Sequence, residues 1–224
     1  MNPTPLRGSL VASLLAGLSA GRYARSLWRS KEVRKFVLII LIVALSTALT
    51  QAQDKRVNIT FAPEKKNRDF DAAAEEYRRI WADEGEHIIR AMEQASRLQF
   101  PERNIKAEIY EGPSSSGRRS APMRLRASYS PDVKKGTLVH ELGHRMNSQL
   151  KKRPKDLDEH RLLFLYLYDL WENLYGKAFA DKEVAFEKTL KGLYDYEAAW
   201  NWALAMSQEE RFSKFGEVLR ANRK

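Results

Sequence analysis

The chain has 224 residues, no cysteine, and a formal charge of +10 from 39 Lys and Arg against 29 Asp and Glu. Without thiols, a thiolate metal site and a disulfide framework are both excluded. The charge does not mark a nucleic-acid binder: residues 1–35 carry a net +6, which leaves +4 on the rest, and no nucleic-acid-binding motif accompanies it.

The length suits one domain preceded by a targeting segment. Phe36 to Ala44 is an unbroken apolar run that continues with small residues through Leu49, follows Arg34-Lys35 and ends in Thr50-Gln51-Ala52. A positive flank, a short apolar core and a small-x-small end describe an export signal, cleaved or kept as an N-terminal membrane anchor. Residues 1–52 are therefore expected to be a basic arm plus signal or anchor, the only membrane contact, with the domain from 53 to 224 outside the cytoplasm. Val33-Arg34-Lys35-Phe36 already looks like the start of such a signal, so residues 1–32 are expected to be an extension in front of it.

In the domain, Val57 to Phe61 alternates apolar and polar and stops at Pro63, which predicts a strand. Phe70, Ala73, Tyr77, Ile80, Trp81, Ile88, Met92, Ala95 and Leu98 mark an amphipathic helix over about 69–98, with His87 on its surface. Ile105 to Tyr110 predicts a second strand, Gly112 to Pro122 a loop, and Met123 to Tyr129 a third strand.

The third strand leads into Ser130-Pro131-Asp132, an N-cap, a first-turn proline and an acid at the positive end of a helix dipole. Val139, Leu142, Met146 and Leu150 supply the buried stripe of that helix. On it stands His140-Glu141-Leu142-Gly143-His144. The two imidazoles lie one turn apart on one face and can reach one ion, and Glu141 sits where a carboxylate can take a proton from a metal-held water. Gly143 costs roughly 1 kcal/mol of helix stability relative to Ala but lets a backbone or a substrate come close.

This pentapeptide resembles the signature of the zincin metallopeptidases. The resemblance implies a zinc ion (Zn2+) held by His140 and His144, Glu141 as general base, and a peptide or protein substrate. It also implies an α+β fold, mainly helical with a small mixed sheet, whose strand before the active helix is an exposed edge. Arg124, Leu125, Arg126 and Ala127 would then pair with an extended peptide; an interior strand is the alternative.

A catalytic zinc needs a third protein ligand. Leu162 to Gly176 reads as a core helix, capped by Asp156 or Asp158 and stopped by Gly176, in which a carboxylate at Asp169 is costly unless paired or metal-bound. Asp169-Leu-Trp-Glu-Asn173 resembles the Glu-x-x-x-Asp of the gluzincin branch, with Asp for the ligand Glu and Asn for the supporting Asp. Glu172, His160 and Glu187 stand as alternatives to Asp169; nine residues along one helix would put His160 opposite Asp169, so the two compete. Further on, Leu193 to Leu204 is an aromatic-rich helix with Trp200 and Trp202 as core, Tyr194 or Tyr196 could donate to an oxyanion, and Ser207 to Glu210 is a capping box opening a last helix. The chain thus reads as an exported zinc peptidase; the rival class is a non-catalytic envelope protein with a structural or vestigial zinc site and a peptide-binding groove.

Overall fold

The computed structural model describes Lys35 and residues 56–117, 121–192 and 194–223. The arm and signal expected over 1–32 and 36–52 lie outside the described residues, among which no helix is long and apolar enough to cross a membrane. Apart from Lys35, the description concerns the unit Arg56–Lys224.

The order of elements is β1 (Asn58–Pro63), α1 (Arg68–Ser96), β2 (Asn104–Tyr110), β3 (Met123–Arg126), α2 (Pro131–Asn147), α3 (Glu159–Phe164), α4 (Leu167–Tyr175), α5 (Lys177–Thr189), α6 (Tyr196–Leu204) and α7 (Gln208–Asn222). This is an α+β chain dominated by helix. The sheet departs from the mixed one expected, because β1, β2 and β3 lie side by side in that order and are all parallel. Alternation identifies a strand but is blind to its direction. The 29-residue α1 carries the chain back between β1 and β2 as a parallel pair demands, and the segment after Tyr110, with no helix among its described residues, leads to β3.

The polar side-chain caps act as their residue types predict. Asn67 accepts from the backbone N–H groups of Asp69 and Phe70 to open α1, and Ser130 accepts from Val133 to open α2 behind Pro131. Ser207 and Glu210 form a reciprocal capping box on α7. The apolar face of α1 (Phe70, Ala73, Tyr77, Ile80, Ile88, Met92) is buried together with Ile59, Phe61, Ile105, Ile109 and Leu125 of the sheet.

The expected single helix over 162–176 is two. The chain leaves helical geometry at Tyr166 (φ −141°, ψ −10°), and α4 ends at Gly176 (φ 86°), in the region that favours glycine. Leu162 through Leu167 are fully buried, so the pair does form the core of the helical part. Trp200 stacks on Phe164 at 3.8 Å and is fully buried. Trp202 is only half-buried, with Arg161 and Lys214 over its ring at 5.4 and 6.0 Å.

Candidate metal centre

The site starts from α2. Leu138, Val139, Leu142 and Met146 are fully buried and lock the rotation of the helix, which turns His140 and His144 toward α3. The space that Gly143 leaves is filled not by a backbone or substrate but by a side chain: a Cβ there would run into Leu163 of α3. The missing methyl thus lets α3 approach α2 closely.

Asp158 caps α3 by accepting from the Arg161 N–H, which sets His160 in the first turn of that helix. Because the chain breaks at Tyr166, His160 does not share a helix with Asp169, and it faces the two histidines of α2. The ring centroids lie 4.8 Å apart for His140 and His144, 4.7 Å for His144 and His160, and 5.5 Å for His140 and His160. One nitrogen from each falls within 4.8 Å of the others. His140 and His144 bring their Nε2 atoms to 3.0 Å. Nitrogens bound to one tetrahedral ion at 2.0–2.1 Å stand about 3.3–3.5 Å apart. The nitrogens lie within 4.8 Å of one another, wider than that spacing, so the rings would have to turn to close on one ion; in chemistry, three imidazoles are a donor set that fits a metal ion.

Glu187 of α5 is not a fourth member. Its Oε1 accepts from His140 Nδ1 at 2.7 Å and its Oε2 from the indole Nε1–H of Trp200 at 2.7 Å. A carboxylate with a donor on each oxygen requires the proton of His140 on Nδ1, which leaves Nε2 with its lone pair for an ion. Burial pushes the His140 pKa down, but the charge and hydrogen bond of Glu187, with Glu141 behind, more than offset it and raise it overall. Burial holds His144 well below the ordinary imidazole range, helped by His140, His160 and Arg153, and carries His160 down to about 3. Both are neutral at physiological pH. Glu141, 6% exposed, is pushed up to about 7 by burial; His140 and Arg145 hold it lower and Glu187 raises it. A carboxyl poised there can both take and give a proton.

Glu187→Gln should weaken metal binding by roughly 10–100-fold, because Gln cannot hold both His140 Nδ1–H and the Trp200 indole as an anion does. Competition with a zinc-chelating dye measures it; unchanged affinity would free Glu187 from this role.

Asp169 is elsewhere. Arg211 of α7 grips it with Nη2 at 2.7 Å from Oδ1 and Nε at 3.2 Å from Oδ2, both side chains being nearly fully buried. The buried carboxylate is paired, as its burial requires, but with a guanidinium in place of a metal. Glu172 is exposed on α4 and His87 on α1. Neither joins the three histidines.

The expected peptide edge is also altered. β3 does lie at the edge, but its outward groups are in use. Arg124 exchanges both backbone hydrogen bonds with Ser115, the Arg126 N–H donates to Ser114 Oγ, and Tyr77 donates to the Arg126 carbonyl. Leu125 and Ala127 are buried, and the Ala127 N–H donates to Tyr110. The loop after β2 has closed the edge.

Of the two tyrosines, Tyr196 brings its hydroxyl 3.1 Å from His160 Nε2. Tyr194 stacks on His160 at 4.0 Å while its hydroxyl donates to Asp158. His160 is legible in the sequence as a candidate, but the unbroken apolar run from Leu162 to Leu167 carries no sign of the break at Tyr166 that separates it from Asp169.

Comparison with protein-family models, curated proteins and solved structures finds no match for this chain.

Proposed function

We propose that this chain is an exported zinc peptidase of the zincin type, with His140, His144 and His160 as metal ligands and Glu141 as general base. The observation that carries the reading is the convergence of three imidazoles beside a buried carboxyl whose proton affinity lies near neutrality. Bound zinc supplies a Lewis acid that polarises a carbonyl and acidifies water.

The protein's own groups do the rest. Glu187 and Trp200 hold the His140 ring, and α3, seated against Gly143, holds His160. Glu141 takes a proton from the attacking water as its oxygen adds to the scissile carbonyl carbon, then passes that proton to the amine as the C–N bond breaks. Tyr196 would donate to the developing oxyanion by giving up its 3.1 Å contact with His160 Nε2, whereas the Tyr194 hydroxyl is engaged by Asp158. The buried faces of His140 and Glu141 keep the reaction away from bulk water. The apolar core at 36–49 is the proposed route of export.

The test is elemental analysis of the purified chain beside its His140→Ala variant. One zinc per chain, lost in the variant, is expected. No zinc after reconstitution at neutral pH would end the reading, and zinc without hydrolysis of any peptide would favour the non-catalytic binder.

A further inference from the structure

A cleft of about 830 Å³ opens at His144 and runs past Arg145, Ser148, Lys151, Arg153 and Glu159. Its charges are not equivalent. Arg145 is buried and spent, donating to Glu102 at 2.7 Å and to the Ala121 carbonyl at 3.0 Å. Lys151 donates to the Ser148 carbonyl. Arg153 differs: its side chain is 33% exposed, and its neighbour Glu159 stands 3.6 Å away, close enough for an ion pair but beyond hydrogen-bond distance.

The backbone that presents Arg153 is firmly held. Asn222 of α7 accepts from the N–H groups of Lys151 and Lys152 and donates to the Lys152 carbonyl. Arg153 also lies near enough for its charge to be felt at His144. A half-exposed guanidinium on a held backbone, with Glu159 beyond hydrogen-bond distance, thus shares a cleft with His144, and that cleft has more cationic than anionic side chains among its described residues.

Resting on the peptidase reading for its substrate class, the geometry points to Arg153 as a specificity residue: it binds a carboxylate of the peptide next to the bond that is cut. Glu159 is its internal competitor, a weak ion pair that a substrate carboxylate replaces with two parallel N–H···O bonds. The carboxylate is either the C-terminal group of a peptide or an Asp or Glu side chain.

The test uses the full chain carrying Glu141→Gln, loaded with zinc, so that bound peptide is not cut. Fluorescence anisotropy gives Kd for a short labelled peptide in matched pairs: free C-terminus against C-terminal amide, and internal Glu against Gln. In one pair the carboxylate form is expected to bind about tenfold more tightly, and that pair identifies the source. Adding Arg153→Ala should equalise the pair while the zinc content stays at one per chain. Glu159→Gln, on an exposed residue, should tighten carboxylate binding a few-fold, and raising the salt should shrink the preference. Equal affinities within both pairs, or a preference that survives Arg153→Ala, would overturn the assignment. A carboxylate preference in a wild-type chain that cuts none of the peptides would sustain the assignment and sink the peptidase reading alone.

Discussion

Asp169→Ala is expected to retain its full zinc content and to lose about 3–5 kcal/mol of folding stability, because it strands the buried guanidinium of Arg211 without its carboxylate. His160→Ala should do the reverse. It removes one of the three imidazoles and most of the bound metal, and its stability should change by only about 1 kcal/mol, since the ring is half-exposed and the cap at Asp158 survives. Metal analysis and urea unfolding on both variants separate the two residues cleanly. Zinc lost from a folded Asp169→Ala, with zinc kept by His160→Ala, would return Asp169 to the metal. The pairing of Arg211 also explains why Asp169 tolerates burial: Arg211 ties α7 to α4 and closes that end of the helical core.

Glu141→Gln should lower kcat by roughly 10²–10⁴-fold with zinc binding intact, since an amide cannot accept the water's proton. Steady-state hydrolysis beside metal analysis reads both quantities; a variant that cuts peptide at the wild-type rate would move the base elsewhere. The same substitution has a second signature in the metal-free chain. Burial raises the Glu141 pKa from its ordinary value to about 7, so between those two pH values the folded state holds a proton that the unfolded state has released. Stability therefore falls as pH rises through that window. Gln at 141 removes this contribution, and the variant's unfolding midpoint should vary less with pH across the same range.

Local chemistry was legible in the sequence wherever one element sufficed to express it. The Ser130-Pro131 start of α2, its buried stripe, and the one-turn spacing of His140 and His144 all follow from helix geometry alone. So do the capping box of α7 and the apolar face of α1. Strand direction was not legible, because alternation is the same for parallel and antiparallel neighbours and only the path of the chain distinguishes them. The occupied edge of β3 was not legible for a related reason: the backbone of Ser115, nine residues upstream in a loop without periodicity, takes the hydrogen bonds of Arg124.

Residues 131–147, by themselves, determine a capped helix that carries two imidazoles and a carboxylate on one turn. Everything that turns this helix into a candidate metal centre is tertiary. Gly143 receives Leu163, the chain breaks at Tyr166, and His160 swings toward α2 while Asp169 turns to Arg211. Glu187 reaches His140 across 47 positions of sequence, with Trp200 on its other oxygen. The physical reason is reach. Helical periodicity reports neighbours three or four residues apart, whereas a third ligand and the carboxylate behind a histidine come from helices whose approach is decided by packing, in this chain by one absent methyl group.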